Sequence, residues 1–196
     1  MLAKRLARGS LVAAGPHTLH FPGVTLTYHG RLRAGLLDLG PEALIGGRAA
    51  AHLLGLDGFP AGPHEFVVPR NLRNRTTVGT VRSTVGIGRL DRTTVDGLPC
   101  TSATRTVIDL LGNATDDEVG NALDSATRLG LTAPAVIARR LAELGRQGRD
   151  GVAQFERVRR TGAVESWLER TFLKVVRAAR LPPPVLQQRY TLPGVG

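Results

Sequence analysis

Arginine is the side chain best equipped for chemistry in this sequence, making up 24 of its 26 basic residues, with Lys4 and Lys174 completing the set. A planar guanidinium grips phosphate through two parallel hydrogen bonds and stacks on bases. The 16 acidic residues leave a formal charge of +10, and the sequence pI is near 11.3, so the expected partner is a polyanion. The charge is also clustered. Lys4, Arg5, Arg8, Arg31 and Arg33 all precede the first acidic residue, Asp38. Further along, Arg70, Arg73 and Arg75 fall within six positions, dense enough to raise the local potential on a loop that reaches phosphate. Together with His17, these eight side chains are the candidate nucleic-acid contacts.

Other chemistry is poorly represented. The five histidines, His17, His20, His29, His52 and His64, are scattered, and the single Cys100 offers no second thiolate at zinc-finger spacing, so no metal site is expected. Cys100 has no histidine in a recognisable relation to it and reads as a small buried residue beside a helix cap. Gly86-Ile87-Gly88 and Gly46-Gly47 lack the Lys-Ser/Thr that follows a phosphate loop, and read as turns. Arg105 and Asp109, four apart on a helix, can pair. Their expected role is structural, tying that helix to the sheet through a turn at Gly97-Leu98-Pro99. A lone cysteine also means no internal disulfide and points to a reducing, cytoplasmic compartment. The longest apolar runs fall short of the ~20 residues of a membrane helix, so no membrane partner is expected.

The elements that must position these residues read as an α+β chain. Residues 2–8 suit a short basic helix stopped by Gly9-Ser10, and residues 11–21 suit two short strands around Gly15-Pro16. A helix is predicted from about Thr27 to Leu39, a short strand at 43–45 and a helix at 48–54. Phe66, Val67 and Val68 suit a buried strand; residues 76–85 form another, with 93–98 as its neighbour. Thr101 and Ser102 cap a helix that stops at Gly112. Thr115 and Glu118 form a capping box ahead of the Val119, Ala122, Leu123, Ala126 face. Pro134 opens a helix with Val136, Ile137, Leu141 and Leu144 as its buried side, and a shorter helix carries Val152, Phe155 and Val158. Thr161-Gly162 marks a domain boundary, followed by a helix at 166–179 and a Pro182-Pro183-Pro184 break.

As a whole the chain resembles the AbiEi-type antitoxins of type IV toxin-antitoxin systems, in the form fused to a very-short-patch-repair-like endonuclease domain. Residues 2–23, LAKRLARGSLVAAGPHTLHFPG, are similar to the recognition helix and wing of the family's winged helix. Residues 47–56, GRAAAHLLGL, are similar to a small-residue helix beneath the central sheet. Residues 95–110, VDGLPCTSATRTVIDL, carry the most specific part, with Gly97, Leu98, Pro99, Thr101, Arg105, Thr106 and Asp109 in place. Residues 166–184 resemble the opening helix of the nuclease-like domain, where Glu169 takes the acidic position.

The resemblance implies a remnant winged helix at 1–25, a central α+β domain with a small sheet and packed helices at 26–112, a helical segment at 113–161, and a truncated nuclease-like domain from 162 to 196. It therefore implies a fragment of a longer protein. It also implies a DNA-binding regulator or antitoxin whose second partner is a nucleotidyltransferase toxin, with no cofactor. No acidic residue follows Glu169, and two or more carboxylates are needed to hold a catalytic Mg ion, so as it stands the chain is not expected to be an enzyme. Two alternatives stay open: an endonuclease whose catalytic half lies beyond residue 196, and a non-catalytic protein-interaction fragment.

Overall fold

A computed structural model describes residues 2–72, 76–145, 149–161, 172, 175–182 and 184. Among them the chain is α+β, as its sequence pattern predicts. It opens with helix α1 (Leu2–Ala7) and a two-stranded hairpin, β1 (Val12–Ala13) with β2 (Leu19–His20). Helix α1 stops where Gly9-Ser10 predicts, because the N–H and hydroxyl of Ser10 both donate to the Arg5 carbonyl. Helix α2 (Tyr28–Leu39) starts at Thr27, whose hydroxyl accepts from the Gly30 N–H and satisfies one of the donors left over at a helix start.

The main sheet has five strands in the order β5-β4-β3-β7-β6: β3 (Leu44–Ile45), β4 (Glu65–Pro69), β5 (Thr80–Thr84), β6 (Arg92–Val95) and β7 (Leu98–Thr101). β3 pairs antiparallel with β4 and parallel with β7, and β4 pairs parallel with β5. Two strand expectations need correcting. The 93–98 segment is not the neighbour of the 76–85 strand, since β5 and β6 form opposite edges of the sheet. Nor do residues 97–99 form one turn, because β6 and β7 make a tight hairpin whose two central residues are Asp96 and Gly97. Both have positive φ, 51° and 71°, the geometry whose twist matches the flanking strands and which Asp-Gly adopts readily. Leu98 and Pro99 therefore belong to β7.

Two apolar clusters hold this frame together. In the first, Leu32, Leu36 and Leu39 of α2 pack on Ile45, Phe66, Val68, Leu98 and Cys100 of the sheet. Gly35 lets α2 approach closely, since a Cβ there would lie 2.2 Å from Phe66 Cζ. The second cluster lies among the helices: Ala51 of α3 (Gly47–Leu53), Val107 and Leu110 of α4 (Ala103–Leu110), Val119 and Leu123 of α5 (Asp116–Arg128), Ile137 of α6 (Pro134–Glu143), and Phe155 and Val158 of α7 (Arg149–Thr161). Ala49 and Ala50 of α3 face the first cluster while Ala51 faces the second, so this small-residue helix serves both. The predicted helical segment thus shares a core with α3 and α4. Its capping box is present, with the Thr115 hydroxyl accepting from the Glu118 N–H and Glu118 accepting from the Thr115 N–H. Val136, expected on the buried side of its helix, is exposed, as is Val152, and Ile137, Phe155 and Val158 do the packing.

Candidate nucleic-acid interface and the motif residues

The charge clustering of the sequence carries over into its ion pairs. Beyond α2 most carboxylates have an arginine partner: Glu42 with Arg92, Asp57 with Arg128, Asp91 and Glu143 with Arg140, Asp109 with Arg105, Asp116 with Arg157, Glu118 with Arg48, and Glu156 with Arg159. None of Lys4, Arg5, Arg8, Arg31, Arg33 or Arg70 forms an ion pair among the described residues. The first acidic residue, Asp38, does not neutralise them. It is 2% exposed, with Oδ1 accepting from the His17 N–H (2.9 Å) and the Thr18 hydroxyl (2.8 Å) and Oδ2 from the Thr76 hydroxyl (2.8 Å). The Thr18 hydroxyl also lies 3.1 Å from the Ala34 carbonyl. Asp38 is therefore the latch that docks the β1–β2 hairpin and the loop before β5 onto α2.

This arrangement gathers some of the candidate contacts and separates others. Lys4, Arg5 and Arg8 are exposed on or just after α1, and His17 is exposed at the hairpin tip. Arg31 lines a groove with Ala13, Ala14 and His20 of the hairpin segment and Thr77 and Val78 of the docked loop. Arg33 points elsewhere, since a Cβ on Gly97 would lie 3.8 Å from its Nη2. Arg70 follows β4, with its N–H donated to the Thr84 carbonyl. Arg73, Arg75 and Glu169 lie outside the described residues. Leu6, Val12, Phe21 and Val24 are exposed apolar side chains on this amino-terminal unit.

The motif residues build one unit out of the hairpin and α4. Gly97 makes the turn, Pro99 stands opposite Thr94, and the Thr101 hydroxyl meets that of Thr106 at 2.7 Å, fixing α4 to β7. Arg105 does not reach the Gly97-Leu98-Pro99 segment, which corrects the expected tie. Its Nε donates to Asp109 Oδ1 (2.8 Å) and its Nη2 to the Thr84 hydroxyl (2.6 Å), so it ties α4 to β5, on the other edge of the sheet. Asp91, 1% exposed, sits 3.9 Å from Arg105 Nη1 and is gripped by Arg140 through Nε and Nη2. Hydrogen bonding to Asp91 raises the Arg140 pKa further. Burial pushes the Asp109 carboxyl above the usual range even though Arg105 pulls it down. Cys100 is fully buried, with its thiol pushed up to about 11 by desolvation, so it is no nucleophile.

Sequence reasoning missed Asp38, Asp91 and Arg140 because each gains its role from a partner far along the chain. It also treated the histidines as scattered, whereas His52 and His64 both pack on Tyr28, with ring centroids 5.1 Å and 4.9 Å away. Among the described residues no group of histidine, cysteine and carboxylate side chains could hold a metal ion, and no helix is long and apolar enough to cross a membrane.

The chain is an α+β protein whose amino-terminal hairpin is docked on α2 through Asp38. No protein-family model matches the sequence, and no curated protein does. Among solved structures the chain is similar to the crystal structure of the RV2827C protein from Mycobacterium tuberculosis. The TM-score is 0.61 at 17% identity, over 94% of this chain and 70% of that one. At that identity the likeness is one of fold.

Proposed function

We propose that this chain is a DNA-binding protein of the transcription-regulator or antitoxin kind, contacting duplex phosphates through α1, the β1–β2 hairpin and Arg31. The observation that carries the reading is the segregation of charge. Lys4, Arg5, Arg8 and Arg31 are exposed and form no ion pair among the described residues, while Asp38, the first carboxylate in the sequence, is turned inward onto the hairpin and the loop before β5. A short helix beside a two-stranded wing also has the parts that place a basic surface along a groove. The AbiEi resemblance supports the same reading and adds a nucleotidyltransferase toxin as second partner.

Fluorescence anisotropy with a labelled duplex at two salt concentrations tests it. Affinity falls steeply as salt rises, and Arg5→Ala combined with Arg8→Ala weakens binding at every sequence while flattening the salt slope by about two contacts. A double mutant that binds as the parent does would overturn the assignment of this surface.

A further inference from the structure

Five phenylalanines are all this chain has, and in a protein so poor in aromatic side chains the cores have first use for them. Phe59, Phe66 and Phe155 are at most 6% exposed and lie in the two apolar clusters. Phe21 breaks the pattern. It is 62% exposed, directly after β2. Phe172 is exposed as well but stands in a helix, whereas Phe21 stands on a turn whose conformation its own sequence sets.

That turn is Phe21-Pro22-Gly23-Val24. The Val24 N–H donates to the Phe21 carbonyl (3.4 Å), Gly23 has a φ of 81°, and a proline precedes it, the marks of a type II turn. Proline fixes φ at the second position and glycine takes the positive φ at the third without steric cost, so little freedom remains to be lost when a ligand arrives. His20 Nδ1, 3.0 Å from the same Phe21 carbonyl, anchors the turn to the end of β2. A Cβ on Gly23 would meet nothing within 4 Å, so the turn projects from the protein. Pro22 and Val24 are exposed with Phe21, and the tip is apolar.

Charge decides what such a tip meets. His20 and Val24, on either side of it, line the groove that also holds Arg31, an exposed cation with no ion pair among the described residues. An apolar wedge beside a free guanidinium fits a polyanion that is charged outside and stacked within, and phenylalanine and proline are among the side chains that enter between base pairs. A lipid surface takes a broad apolar face, and here the tip is a single turn. We infer that Phe21 is an intercalating wedge: with Arg31 on a neighbouring phosphate, it enters between two base pairs and kinks the duplex, so the preferred DNA carries an easily unstacked pyrimidine–purine step. This rests on the DNA-binding reading and adds a selectivity for deformable sequence, which phosphate contacts alone do not carry.

The test titrates the full chain and Phe21→Ala with two duplexes of equal length and charge. One has a central TA step whose adenine is replaced by a fluorescent analogue that brightens on unstacking; the other has a stiff A-tract there. The parent prefers the TA duplex about tenfold and brightens the analogue. Phe21→Ala keeps the parent's melting temperature, loses both the preference and the brightening, and keeps the slope of affinity against salt, since no phosphate contact is removed. Steep, salt-dependent binding without brightening, or with the preference intact in Phe21→Ala, overturns the wedge and leaves the DNA-binding reading standing; absence of duplex binding removes both. Phe21-dependent binding to anionic vesicles, with duplex binding unchanged by the substitution, assigns the turn to a lipid surface and likewise overturns the wedge.

Discussion

Replacing Asp38 by alanine removes the latch between the amino-terminal hairpin and α2, and its cost follows from three hydrogen bonds. The carboxylate accepts from the His17 N–H, the Thr18 hydroxyl and the Thr76 hydroxyl, at 2.9, 2.8 and 2.8 Å. Bonds to a charged group contribute roughly 1.5–3 kcal/mol each, but the three share one acceptor group and are not additive. The Thr18 hydroxyl retains the Ala34 carbonyl, at 3.1 Å, and exposed donors regain water. A net loss of about 3–4 kcal/mol is therefore expected, concentrated in the docking of residues 12–20. Urea denaturation measures the global part. Amide hydrogen exchange measures the local part: the Ala14 and Gly15 N–H groups, which donate to the Thr18 carbonyl, lose protection while those of β4 keep theirs. If the proposed DNA-binding reading holds, duplex affinity falls as well, because Arg31 and the hairpin no longer line one groove. A variant with parental protection at Ala14 and Gly15, or one that loosens α2 and β4 equally, would refute the latch.

Further outcomes follow from the same geometry. Gly35→Ala forces a methyl into the Phe66 ring and costs about 1–3 kcal/mol, read from urea midpoints; a neutral result would mean that α2 slides freely on the sheet. Thr115→Ala removes the capping-box hydroxyl and costs about 1 kcal/mol in the same assay. Arg140→Met leaves the Asp91 carboxylate, which is 1% exposed, with the Gly88 N–H and the more distant Arg105 alone, and costs about 3 kcal/mol in thermal unfolding, more than the surface-pair variant Arg159→Met by a wide margin. Burial, and then the Arg31 charge, hold the His64 pKa below its usual 6.5. The unfolded chain consequently binds the proton more readily, so His64 contributes stability that is fully present above pH 6.5 and lost as pH falls toward the folded value. Comparing urea midpoints at pH 7.5 and 5.5, His64→Gln loses less on acidification than the parent.

Local signals in the sequence found most of the elements, because caps and periodicity act within a few residues. Thr27, Ser102 and the Thr115–Glu118 box each start the helix they predict. What depended on distant partners was not legible. Nothing near Thr76 or Thr93 tells which strand lies beside β5, since that is decided by β4 and β3 intervening in the sheet. The Arg105–Asp109 pair was found from its spacing, but its reach to Thr84 required the fold. Asp96-Gly97 is the exception: the dipeptide between Val95 and Leu98 is a hairpin signal in its own right, and reading 93–98 as one strand ran across it.

β3, only Leu44 and Ile45, is the centre of the sheet and its shortest strand, along with those of the outlying hairpin. To one side lie β4 and β5, to the other β6 and β7, and these two leaves touch through that dipeptide. Assembly must therefore bring Ile45 to Cys100 across the intervening chain that carries α3, β4, β5 and β6 before the parallel pairing returns any energy. The β6–β7 hairpin closes early, and the seam at the middle of the sheet is expected to be the slow, rate-setting step on the way to the native state.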